Sequence, residues 1–305
     1  MSTRPTAPLQ GLLPGIVAAR DRLARRPAPF IWQEVARRMA ERLPLLKLQP
    51  GSVFDMGCAW GDGLALLRHQ YPQAQIVGVE PSALLADVAR KAHAGRSWLR
   101  GLRGQGRTEV LTAPLSGPMT AQAAPSAAQM LWSNLALPWV AELGAMFAVW
   151  HRALLPDGVL MFTTFGPDTL HELRQAQYRD IGVVPPAYPD MHDLGDMLVQ
   201  QGFAEPVMDM EMLHLHYARP EDALAELAEL GRPAHAAAAH GLRTPRQWRA
   251  LQHALLSQAE AAGLTEVVLS FELVYGHAFK PATHAARAGV ASFPVEQLRA
   301  TGRKR

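Results

Sequence analysis

The stretch Asp55-Met56-Gly57-Cys58-Ala59-Trp60-Gly61-Asp62-Gly63 combines an acid with small residues that let a backbone approach a ligand closely. It follows a short apolar run, Ser52–Phe54, and leads into Gly63–Tyr71, which reads as a helix. The turn therefore sits where a strand hands over to a helix N-terminus, a place that attracts electron-rich ligands. Glu80 follows Gly61 by nineteen positions, at the end of the β-branched run Gln75–Glu80. A carboxylate there can accept two hydrogen bonds from ribose hydroxyls, so the pair of motifs points to a nucleoside cofactor. The turn lacks the spacing of a dinucleotide phosphate loop, and no Walker-type phosphate loop is present, so ATP hydrolysis has no support. Cys58 has no base beside it in sequence and is expected to be a small buried filler. His214 and His216 share a strand face without a third ligand in reach, and Trp132, Trp139 and Trp150 lie in apolar contexts that read as core.

These residues need a frame. Phe30 to Leu46 places Ile31, Val35, Met39 and Leu43 on one helical face, so a helix precedes the first strand. Further candidate strands begin at Glu109, Gln129, Val159, Pro206 and Glu266, with helical stretches between most of them. Such alternation predicts an α/β domain with a mainly parallel sheet. The last two strands are long and close in order, which suits one of them inserting antiparallel at the sheet edge. Residues 219–263 are rich in Ala and Leu and broken at Gly231–Pro233 and Thr244–Pro245, which reads as an inserted helical cover. The chain then divides into a basic arm and helix over 1–47, one domain over 48–298 and a basic tail over 299–305.

With 305 residues, 49% hydrophobic and 19% charged, and a mean hydropathy near zero, the composition excludes a disordered chain and a disulfide-stapled mini-protein. No stretch approaches the ~20 apolar residues of a membrane span, and the first sixteen residues lack a signal-like apolar run, so neither secretion nor anchoring is expected. The single cysteine suits the cytoplasm. The net charge of +3 hides polarity: residues 1–47 carry +6, residues 87–107 carry +5 and the tail +4, against −11 over 155–230. Localised basic blocks suit an acidic protein partner better than diffuse binding to nucleic acid.

The Asp55, Gly57, Gly61 and Glu80 pattern resembles the class I S-adenosylmethionine-dependent methyltransferases. The resemblance sharpens in SNLALPWV at Ser133, HRALLPDGVLMFTTFGPDTLHELR from His151, DMHDLGDMLVQQGFAEPVMDMEML from Asp190 and LVYGHAF at Leu273, which are similar to the biotin-pathway malonyl-acyl carrier protein O-methyltransferases. It implies a Rossmann-like fold: a seven-stranded, mostly parallel sheet with helices on both faces and one antiparallel edge strand. It also implies S-adenosylmethionine as cofactor, bound by Asp55, Gly57, Cys58, Ala59, Gly61 and Glu80, with Asn134 where such folds open onto cofactor and substrate. The partner implied is an acidic acyl carrier protein bearing malonyl.

A malonyl carboxylate is ionised at neutral pH, so methyl transfer to it needs positioning and desolvation rather than a base. Arg25, Arg26 and Arg174 could grip that carboxylate, and His192 could face it, while Asp190 is better read as a helix cap. Three departures from the family pattern stand out. The turn reads GCAWG where the family usually has GCGTG, so Ala59 is strained if its φ is positive. No acid follows the third strand at Thr112 and Ala113. Arg25 and Arg26 stand where the family often has a tyrosine, with Trp32 the nearest aromatic. These departures keep two other readings open: a binding or assembly protein without turnover, and the protein arginine hydroxylase of a sister group that shares the layout. Nucleic-acid amino-methylases carry two prolines and an aromatic after the fourth strand, where this chain has SNLALPW.

Overall fold

The computed structural model describes residues 13–93, 106–115, 128–174, 185–230 and 244–282. The tail 299–305, part of the second basic block and the break at Gly231–Pro233 lie outside them. Seven strands form one sheet: β1 (Ser52–Met56), β2 (Gln75–Glu80), β3 (Thr108–Thr112), β4 (Ala128–Ser133), β5 (Leu154–Phe165), β6 (Ala204–Tyr217) and β7 (Val267–Phe279). Their order is β3-β2-β1-β4-β5-β7-β6. The single antiparallel strand is β7, which inserts between β5 and the edge strand β6 and runs opposite to both.

All seven sequence-predicted strands are present. The helices are α1 (Leu13–Leu23), α2 (Phe30–Glu41), α3 (Asp62–Gln70), α4 (Ala83–His93), α5 (Leu143–Ala153), α6 (Met191–Gln200), α7 (Pro220–Glu229) and α8 (Pro245–Ala261). None of the described helices is long and apolar enough to cross a membrane.

Two apolar cores flank the sheet because successive strand residues point to opposite faces. Val53, Ile76, Met130 and Trp132 belong to one core; Phe54, Val77 and Leu131 belong to the other. The central strands are therefore buried on both sides, as parallel strands under helical layers must be. The predicted face of α2 is realised, since Ile31, Val35, Met39 and Leu43 are all buried. The α-helix stops at Glu41, however, and Leu43–Leu46 continue as a 3-10 turn. Pro44 explains this, because proline has no N–H for the α-helical ladder. Asp190 caps α6 through a 2.7 Å bond from the His192 amide, and Thr244 with Gln247 forms a capping box on α8.

The strand order reverses between β1 and β4, so their carboxyl ends open a crevice at the sheet's switch point. The Asp55–Gly63 turn leaves β1 into that crevice. The α1 and α2 helices pack across the same end: α2 meets α3, and α1 meets α4.

Candidate functional site

The turn after β1 is held by backbone bonds from the Gly57 and Cys58 amides to the Val79 carbonyl, at 2.7 and 3.2 Å, and from Gly61 to the Cys58 carbonyl at 2.8 Å. Gly57, Ala59 and Gly61 have φ of +85°, +46° and +92°. Ala59 thus occupies the left-handed region that its L side chain disfavours, which the sequence marked as the condition for strain. Gly57 answers a second need, since a Cβ there would lie 2.5 Å from the Ala136 Cβ in the segment after β4.

Asp55 is buried in the crevice, and its carboxylate accepts no hydrogen bond among the described residues. Burial, and then the charges of Glu80 and Asp62, push its carboxyl well above the usual range. Across the β1–β4 pairing stands Trp132, whose buried Nε1 likewise has no partner. Gly63 makes room for both: a Cβ there would fall 2.6 Å from Asp55 Oδ2 and 3.0 Å from Trp132 Nε1. Two orphaned polar groups of opposite sense, an acceptor and a donor, thus share one corner of the crevice.

Glu80 is fully buried at the end of β2 and is not free. Its Oε1 accepts from Arg20 Nε at 2.8 Å and the Ser82 amide at 3.0 Å; its Oε2 accepts from Arg20 Nη2 at 2.5 Å and the Ala59 amide at 3.0 Å. Arg20, on α1, is itself only 2% exposed. No spacing signal in the sequence pairs residues 20 and 80. Thr112, at the end of β3, receives a 2.8 Å bond from Arg90.

Asn134 follows β4 and is pinned between elements, donating to the Trp32 carbonyl at 2.9 Å and accepting from Thr163 Oγ1 at 2.8 Å. Together with Asp55, Cys58, Trp32 and Trp60 it lines a cavity of about 10 Å³, room for a single water. A larger cavity of about 330 Å³ lies where β4 and β5 end, lined by Leu137, Glu142, Thr164, Tyr188 and Met197 among others. A row of aromatic rings joins the two: Trp60 to Trp32 at 6.1 Å, Trp32 to Phe165 at 6.4 Å and Phe165 to Tyr188 at 5.4 Å between centroids.

Arg174 donates to the carbonyls of Pro167 and Thr169, while its buried Nε has no partner among the described residues. Its charge acts on Tyr188, whose hydroxyl burial pushes up. Arg25 and Arg26 are exposed in the turn between α1 and α2, and the Arg26 carbonyl accepts the Trp60 indole N–H at 3.0 Å. His192 is exposed on α6. Most other arginines of the basic arm are spent internally: Arg37 on Glu34 and Glu41, Arg38 on Glu34 and Glu211, and Arg42 on Asp209. Cys58 is buried, and burial followed by the charges of Asp55 and Glu80 raises its thiol pKa, as suits a filler rather than a nucleophile. His214 bonds Ser270 and His216 pairs with Glu266, while Trp132, Trp139 and Trp150 are buried.

Residues 54–162 match the methyltransferase domain family. The malonyl-acyl carrier protein O-methyltransferase of Gallionella capsiferriformans is 40% identical over 264 residues, covering 85% of this chain and 87% of that protein. The protein of the same name from Laribacter hongkongensis is 38% identical over 266 residues, covering 85% of this chain and 86% of its own length. Among solved structures, the YcgJ protein of Bacillus subtilis superposes with a TM-score of 0.55 at 10% identity, covering 80% of this chain and 99% of that one; this likeness concerns the fold.

Proposed function

This chain belongs to the malonyl-acyl carrier protein O-methyltransferase family, and from that premise we propose that it esterifies the free carboxylate of malonyl on an acyl carrier protein, for biotin synthesis. The methyl donor is S-adenosylmethionine, which when bound supplies a methyl group on a cationic sulfur, open to in-line displacement. The names of the relatives favour this reading over a non-enzymatic assembly role or arginine hydroxylation.

One observation of the structure carries the donor assignment. The Asp55 carboxylate and Trp132 Nε1 are a buried acceptor and a buried donor without partners among the described residues, side by side at the switch point. The ammonium and carboxylate of an amino-acid end supply what each lacks, and a cation beside Asp55 restores the ionised state that burial disfavours. The turn Gly57, Cys58, Ala59 and Gly61 would hold the nucleoside, Glu80 would accept the ribose hydroxyls, and Asn134 would serve the methionine end.

On the acceptor side the residues hold and dry a nucleophile that is already charged. A carboxyl of ordinary pKa near 4 is ionised at neutral pH, so no base has to remove a proton. The row Trp60, Trp32, Phe165 and Tyr188 walls the way between the two cavities with apolar rings, and stripping water from the carboxylate raises its reactivity. The larger cavity takes the acceptor arm. Arg174, whose charge acts on Tyr188 in the cavity wall and whose Nε has no partner among the described residues, is the candidate cation for pairing the carboxylate. Arg22, Arg25 and Arg26 are exposed at the end of α1 and in the turn after it and bonded to no carboxylate among the described residues, which suits an acidic carrier surface. A lone cysteine suits a cytoplasmic setting.

The test is transfer of labelled methyl from S-adenosylmethionine to malonyl carrier protein, with acetyl carrier protein alongside. Base-labile label on the malonyl form alone supports the proposal. Label on both forms, or on neither with folded enzyme, overturns it.

A further inference from the structure

The crevice that suits a nucleoside is closed by a segment from outside the sheet. Arg20 reaches from α1 over the Trp139 ring, 5.3 Å from its centroid, and places both arms of its guanidinium on Glu80. The neighbouring Asp21 accepts a 2.5 Å bond from Ser82 Oγ, whose oxygen also accepts from the Leu85 amide at the start of α4. Trp60 adds a third tie through its bond to the Arg26 carbonyl. What remains beside the turn is the cavity of about 10 Å³, far below the few hundred Å³ of a typical cofactor site.

A carboxylate offers about four lone-pair positions, and all four on Glu80 are used, two of them by Arg20. The two donors of a ribose diol can be accepted only where the guanidinium now sits. We infer that Arg20 is a latch on the cofactor site: it holds the place of the ribose on Glu80, and α1 must release Glu80 before the donor binds. The inference rests on the methyl-donor reading given above. The latch is reversible because it trades like for like. Arg20 gives up two charge-assisted bonds and enters water, and Glu80 regains two donors. A site populated only when α1 lifts has an apparent affinity lowered by the fraction of open molecules. The ties also differ in kind. Arg20 touches the ribose acid itself, whereas Asp21 and Ser82 merely anchor the helix, so Asp21 can be changed without altering any group that would contact the donor.

S-adenosylhomocysteine titrated into the full chain by calorimetry, together with hydrogen exchange of the α1 amides, tests this. Arg20→Gln is expected to bind at least about tenfold more tightly than wild type, because the closed state loses its charge-assisted bonds, and Asp21→Asn about threefold, because a neutral amide oxygen accepts the Ser82 hydroxyl more weakly than a carboxylate does. In wild type, S-adenosylhomocysteine is expected to speed exchange over α1. Should Arg20→Gln fail to fold, Asp21→Asn and the exchange measurement still decide. Variants that bind no more tightly than wild type, or α1 amides that become more protected, overturn the latch while leaving the donor reading intact. No binding by any variant overturns the donor reading and the latch with it.

Discussion

Two opposite substitutions in the turn after β1 separate backbone geometry from motif resemblance. Gly57→Ala places a methyl at φ +85°, 2.5 Å from the Ala136 Cβ, where ordinary van der Waals contact begins near 3.4 Å. The left-handed conformation costs about 1–2 kcal/mol for an L residue, and overpacking costs about 1–3 kcal/mol. The lost flexibility of the unfolded chain returns about 0.5–1 kcal/mol, leaving a net loss of about 1–4.5 kcal/mol. Ala59→Gly runs the other way. It relieves about 1–2 kcal/mol at φ +46°, forfeits about 0.8 kcal/mol for one buried methyl and costs about 0.5–1 kcal/mol of glycine entropy. These cancel to within about 0.8 kcal/mol, which is how alanine can stand where the family usually has glycine. Urea unfolding followed by the fluorescence of the seven tryptophans measures both. Gly57→Ala within about 0.5 kcal/mol of wild type, or Ala59→Gly shifted by more than about 1.5 kcal/mol, would refute this reasoning.

Asp55→Asn is expected to weaken S-adenosylhomocysteine binding by about tenfold or more, because the ammonium loses its carboxylate. Its stability relative to wild type should grow as pH rises. Asp55 has a folded pKa above its unfolded value, so the wild-type native state holds the proton more tightly, and its stability falls from about pH 4 upward; a difference that stays constant between pH 4 and 8 contradicts this. Gly63→Ala should improve the helix propensity of α3 yet crowd Asp55 and Trp132, so calorimetry should show at least a roughly tenfold loss of donor affinity with little loss of melting temperature. Unchanged affinity would remove that corner from the site. Replacing Arg22, Arg25 and Arg26 by Gln should raise KM for malonyl carrier protein and flatten its salt dependence at unchanged donor affinity. Arg37→Gln, whose charge is already paired to Glu34 and Glu41, should do neither, and equal effects from both changes would contradict the docking assignment.

Much of the frame was legible because it follows from periodicity. The apolar face of α2, the β-branched runs of β2 and β5 and the cap at Asp190 are local patterns with local causes. What escaped involved partners distant in sequence. The long runs of β6 and β7 do not reveal that β7 enters between β5 and β6, since that order is set by which faces bury best together. Residues 20 and 80 meet only because α1 lies across the end of β2. The net charge of the basic arm did not show that Arg20, Arg37, Arg38 and Arg42 are paired with carboxylates, leaving Arg22, Arg25 and Arg26 as the unpaired outward arginines among its described residues. The turn itself was legible as a ligand-approach motif, but the positive φ of Ala59 and the unpartnered Trp132 Nε1 needed coordinates.

On the function proposed above, this crevice delivers a methyl group to a carboxylate that needs no deprotonation. The most direct measurement is the single-turnover rate of methyl ester formation on malonyl carrier protein, at saturating S-adenosylmethionine, across about pH 6 to 8.5. Ester formation is expected at a rate that stays level, because the acceptor carboxyl is ionised throughout. A rate that climbs through a group titrating near neutrality, or the absence of any ester, would contradict it.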